Sequence, residues 1–212
     1  MSSASDCFPL VAAERVRLAD ALDALGPPDW ESPSLCAGWS VHMVAAHLNV
    51  PWSLSLPKVL IAVARARNLD RGFDRVTREL AARLDPAACV DGLRAHADSR
   101  FTPPGAGPEA PLTDVIVHGA DMLHPLGRSV DVAPDALAAS LAWLSRGRAK
   151  GFVPAGRVDG LSFEATDLGV RYGTGPSVVQ GPASALCGAL CGRAAMVGQL
   201  SGDGARLLAA RL

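Results

Sequence analysis

Basic charge is too scarce in this 212-residue chain to make a polyanion footprint: 20 Lys and Arg are set against 21 Asp and Glu, for a formal net charge of -1. No Lys/Arg cluster marks an RNA groove or a membrane surface, so neither nucleic acid nor membrane is expected as a partner. The first residues, MSSASDCFPL, lack a basic segment followed by an apolar one, so no signal peptide is expected. No apolar run reaches the roughly 18 residues that cross a bilayer. A soluble, cytoplasmic protein is the resulting expectation.

A disulfide framework is missing as well. Cys7, Cys36, Cys89, Cys187 and Cys191 are odd in number and scattered in spacing, which reads as small buried apolar groups. Cys187 and Cys191 share a helix face, but two thiols without a partner pair make a poor zinc site. No cysteine beside a histidine is visible as an internal nucleophile. LSGDG lacks the lysine and the glycine spacing of a phosphate loop and reads as a helix start. No internal repeat is seen.

What is present is a core: 49% of residues are hydrophobic and 19% charged, which argues for a folded chain. Val11, Leu18, Leu22 and Leu25 recur at helical spacing until Gly26-Pro27-Pro28. A second helix begins after Trp39, with Ser40 as N-cap and a Trp39–Val44 staple, and is ended or kinked at Pro51 and Pro57. Phe73, Val76, Leu80 and Leu84 form a further stripe, and Asp85-Pro86 caps the next helix. Thr102 to Pro111 reads as a loop, Thr113 to Leu123 as the fourth helix and Pro134 to Lys150 as another. Beyond Gly151 the period becomes that of strands, at Leu161–Ala165, Val170–Tyr172 and Ser177–Gln180. Pro182 opens a helix that Gly192 closes, and a last helix covers 204–211.

Polar residues interrupt this pattern. His47 falls on the core face with Val44 and Leu48. In DVIVHGAD, Asp114, His118 and Asp121 share one stripe at i, i+4 and i+7, among the apolar Val115, Ile116, Val117 and Met122. A buried carboxylate needs a cation or strong hydrogen bonds. Asp114 and His118 can share one metal, with His47 as the third ligand, leaving a coordination position open. The same spacing equally suits a buried, hydrogen-bonded Asp/His pair that holds no ion. Asp121 suits either a group that orients His118 or a helix-capping or arginine-paired carboxylate. Asp167 is expected to form hydrogen bonds at a turn.

At these residues the sequence resembles a known family. SLCAGWSVHMVAAHL and LTDVIVHGADMLHPLG resemble the helix motifs of the mycothiol-dependent maleylpyruvate isomerase family, a branch of the DinB-like metal-binding bundles. FEATDLG, VVQGPASAL and LSGDG resemble its C-terminal domain. The resemblance implies an α+β fold: a DinB-like four-helix bundle at 1–128, followed by a small SCP2-like α/β domain at 129–212. It implies a divalent metal, usually zinc, on His47, Asp114 and His118, and a functional arginine at Arg193. The family isomerase has Glu at the position of Asp114, one methylene longer. The implied cosubstrate is mycothiol, a small thiol of actinobacteria. The metal would favour its thiolate, which would attack a small electrophile held by Arg193, for isomerisation or thiol transfer. Two other readings stand beside this: a non-catalytic metal-binding or stress-response protein, and a hydrolase with Asp121 as general base.

Overall fold

The computed structural model describes residues 6–212, the side chains of residues 69 and 70 apart. Its elements run, in order, α1 (Phe8–Asp23), α2 (Pro27–Glu31), α3 (Val41–Leu48), α4 (Val50–Ser53), α5 (Leu56–Ala66), α6 (Leu69–Ala81), α7 (Pro86–Ala95), α8 (Glu109–Leu123), α9 (Pro134–Leu144), β1 (Leu161–Ala165), β2 (Val170–Gly173), β3 (Ser177–Gly181), α10 (Ala183–Leu190) and α11 (Asp203–Ala209). Short 3-10 turns cover His124–Leu126 and Ala194–Gln199. The arrangement is α+β, as the sequence reading expects. No helix among the described residues is long and apolar enough to cross a membrane.

The chain divides into two compact units, and α1 and α8 each contribute residues to both. The helical unit comprises Arg15–Phe101 and His118–Asp131. In it α3 packs against α6 and α7, and α5 against α6. Its core includes Leu18, Leu22, Val41, Val44, Val76, Leu80, Leu93 and Met122, all buried. Arg15 is buried too, and its guanidinium donates to the carbonyls of His96, Ala97 and Ser99 at 2.8–3.1 Å. These bonds satisfy carbonyls at and just beyond the end of α7 that have no partner within the helix.

The second unit takes in Thr102–Val117 and Val132–Leu212 together with the residues before Arg15. Its sheet has the order β2-β1-β3, with β1 antiparallel to β2 and parallel to β3. Phe163 pairs with Tyr172 on one side and Val179 on the other, and is fully buried. Ser162, a polar member of the alternation, is buried as well, its hydroxyl accepting from Arg171 at 2.7 Å. Asp167 accepts from the backbone N–H of Ala183 at the start of α10. Asp203, from LSGDG, opens α11 and accepts from Val178 N–H. Both carboxylates tie neighbouring backbone in place.

Ser40 and Asp85 cap α3 and α7 as expected, their side chains accepting from Met43 and Ala88 N–H. Elsewhere the proline positions start helices rather than only ending them. Pro27, Pro51 and Pro57 sit in the first turns of α2, α4 and α5, where the missing N–H costs nothing. α8 starts at Glu109, four residues before the expected Thr113, because Pro111 also falls in a first turn. α9 stops at Leu144 instead of Lys150: the Ser145 hydroxyl turns back onto the Ala142 carbonyl, and Gly147 takes a φ of +65°.

Candidate metal centre

The site is built from a loop, α3, α6 and α8. The loop 33–40 before α3 is closed on itself. Ser34 Oγ donates to the Trp39 carbonyl at 2.8 Å, Cys36 N–H donates to Ser34 Oγ, and Trp39 N–H to the Cys36 carbonyl. Gly38 holds a φ of +76°, which an L side chain rarely adopts. The loop is pinned to α8 by a backbone bond, Leu35 N–H to the Asp121 carbonyl at 2.9 Å. It is pinned to α6 by Trp39 Nε1, which donates to Asp74 at 2.8 Å, and by Arg78, which donates to the Gly38 carbonyl. Hydrogen bonds from Arg78, and next from Trp39, hold the Asp74 carboxyl below the usual carboxylate range.

Beginning α3 at the Ser40 cap places His47 two turns in. Its Nδ1 lies 3.2 Å from the Thr77 hydroxyl of α6, and Thr77 is fully buried. With Nδ1 on Thr77, Nε2 is the nitrogen that would bind a metal. The His47 ring lies 5.2 Å from the ring of Trp39, 5.9 Å from Phe73 and 5.1 Å from His118. Trp39 is therefore more than a helix staple: it walls the site and ties it to α6.

On α8, His118 Nδ1 lies 2.9 Å from Asp121 Oδ2, and Asp121 has no solvent exposure. Asp114 comes one turn before His118 on the same unbroken helix, so α8 itself fixes their spacing. His47, Asp114 and His118 each offer one ligand atom, all within 4.8 Å of one another. Two imidazoles and one carboxylate are the donor set of a three-ligand divalent site. The carboxylate on His118 Nδ1 is the partner that metal-binding histidines use to fix ring and tautomer. The residues present therefore fit a divalent metal.

Arg193 lies at the start of the 3-10 turn in the second unit, and its Nη1 donates to the Cys191 carbonyl at 2.7 Å.

One expectation is overturned. A cysteine does stand beside a histidine: Cys36 Sγ is 3.7 Å from His118 Nδ1 and 3.1 Å from Asp121 Oδ2. The four other cysteines are buried, as the sequence reading expects, whereas Cys36 is only half-buried. Thr77, Trp39, Asp74 and Cys36 are the site residues that sequence reasoning missed. Only Cys36 and Trp39 left a trace, by lying within the SLCAGWS motif.

Residues 11–116 match the family model described as the mycothiol maleylpyruvate isomerase N-terminal domain. The chain belongs to this family. The match contains His47 and Asp114 and stops two residues short of His118. Two solved structures are similar over nearly the whole chain. A mutant of the mycothiol-dependent maleylpyruvate isomerase has a TM-score of 0.58 at 16% identity, covering 93% of this chain and 92% of that one. A second structure of the mycothiol-dependent maleylpyruvate isomerase has a TM-score of 0.54 at 17% identity, with the same coverage. At these identities the likeness establishes a shared fold and nothing about substrate. No curated protein matches the chain.

Proposed function

We propose that this protein is a metal-dependent enzyme that uses a low-molecular-weight thiol, mycothiol, to isomerise a small electrophile or transfer the thiol to it. The observation that carries the proposal is the convergence of donor atoms from His47, Asp114 and His118, with His118 backed by the buried Asp121. Family membership supports the choice of thiol. In this reading residues 1–128 form the metal-binding bundle and 129–212 the α/β domain.

His47, Asp114 and His118 would hold the ion, which we take to be zinc. When bound, it supplies the positive charge that favours a thiolate over a thiol. Thr77 and Asp121 keep the two imidazoles in the tautomers that face a ligand. Trp39 and Phe73 pack against the His47 ring and help to hold it in place. Arg193 is assigned to an anionic group of the thiol or the electrophile, for which a planar guanidinium is suited. Hydrolysis is disfavoured by one observation. Asp121, the base a water mechanism would need, is fully buried and already engaged by His118 and Cys36.

The test is the metal content of untagged protein purified without chelator, beside His118→Ala, followed by turnover assays with and without mycothiol. We expect about one equivalent in the native chain, its loss in the variant, and turnover only with the thiol. A chain that takes up no zinc overturns the metal centre. Metal without thiol-dependent turnover overturns the enzyme assignment.

A further inference from the structure

His118 serves two donor sets. Besides His47 and Asp114, a second group of potential ligands converges on it: Cys36 Sγ, His118 Nδ1 and Asp121 Oδ2. All three belong to the helical unit. Their separations are 3.7 Å from sulfur to nitrogen, 3.1 Å from sulfur to oxygen and 2.9 Å from nitrogen to oxygen. Ligands around one tetrahedral zinc stand about 3.3–3.6 Å apart, given the usual Zn–S, Zn–N and Zn–O lengths. Shifts of about half an ångström would bring the three atoms to the corners of one tetrahedral face. The fourth corner is left for water or an exogenous ligand.

From this geometry we infer that Cys36, His118 and Asp121 form a second cation site that takes a thiophilic divalent ion, such as zinc or cadmium. The backbone prepares it. The Leu35–Asp121 bond and the Ser34 bonds fix the loop so that Cys36 faces α8. A thiolate makes the set softer than the His47 set, and so biased toward zinc, cadmium or cobalt over magnesium or manganese.

The two sites exclude each other through one ring. A neutral imidazole has one acceptor nitrogen. With the proton on Nδ1, His118 donates to Asp121 and offers Nε2 to the His47 set. With the proton on Nε2, it offers Nδ1 to Cys36 and Asp121. An ion held in the second site therefore takes His118 away from the first.

The experiment uses cobalt(II), whose thiolate complexes show a near-ultraviolet charge-transfer band that nitrogen and oxygen ligands do not produce. In the full-length His47→Ala protein, the first site is disabled and the band is expected to appear on titration. In His47→Ala/Cys36→Ser it is expected to be lost, with the circular dichroism unchanged. In the native chain freed of other metal, cadmium, softer than cobalt and so drawn to the thiolate set, is expected to slow alkylation of Cys36 by at least about tenfold, read by peptide mass. This arm needs no variant to fold. No band in His47→Ala, a band surviving in the double variant, or unprotected Cys36 would each overturn the inference. If instead the His47 site is the one that fails, the cobalt band appears in the native chain as well, so the two failures are told apart.

Discussion

Two cysteines, one in each unit, show how far the surroundings decide what a side chain can do. Cys187 lies on α10 among Leu186, Ala189 and Leu190, without solvent exposure, and burial pushes its thiol well up. Cys89, on α7, is similar, with burial raising it to about 12, so it stays a neutral thiol through the physiological range. Cys36 lies on a loop, half-buried, against an imidazole and a buried carboxylate. The sheet-bearing unit buries Cys187 as a small apolar filler, as the helical unit does Cys89. On its loop the helical unit places Cys36, the same residue type, in a polar cluster. Chemistry in this protein concentrates where a closed loop meets α8, and the residue type alone does not announce it.

That contrast can be broken in three places. The largest expected effect is in native-state alkylation with iodoacetamide. Cys36 should react at least about a hundredfold faster than Cys89 or Cys187, which become available only when their helices open. Equal rates would mean that the buried cysteines are not protected and the comparison fails. The next effect concerns the partner of His118. Asp121→Asn should weaken zinc binding by about 10–100-fold, measured by competition against a chromogenic chelator, because the ring loses the carboxylate that fixes its tautomer. An unchanged affinity would reduce Asp121 to a packing residue. The smallest effect lies on the loop's tie to α6. The Asp74 carboxyl sits below 3.8 in the folded chain, so its bonds with Arg78 and Trp39 stabilise the fold at neutral pH. That contribution is present above 3.8 and fades as the pH falls through the lowered value. Asp74→Asn should therefore be slightly less stable than the native protein at pH 7 and equal to it in strong acid. A difference that grows on acidification would reverse the sign and sink the argument.

Local grammar carried much of the fold. Ser40 and Asp85 were readable as caps because a short polar side chain before a helix has one main use. The three strands followed from period-two alternation in LSFEA and from the turns around it. His47, Asp114 and His118 stood out as polar groups on apolar faces, and the structure does bring their ligand atoms together. The helix ends were harder. Whether Pro51 ends a helix or starts one depends on how the chain packs after Asn49, whose amide donates to the carbonyls of Ala45 and Cys89. Cys36 was not legible for a different reason. Its partners lie 82 and 85 residues away, and no periodicity connects a loop thiol to one face of a distant helix. Thr77 was hidden likewise, since a hydroxyl on the buried face of α6 gives no sign that it meets His47.

The position of Trp39 gives the site an optical gauge. Its indole lies 5.2 Å from the His47 ring and is held there by the bond to Asp74. Indole emission is sensitive to charge and to open-shell ions nearby, so whatever His47 binds changes the light from this one side chain. The loop that walls the site thereby makes its filling visible in the fluorescence of the unlabelled protein.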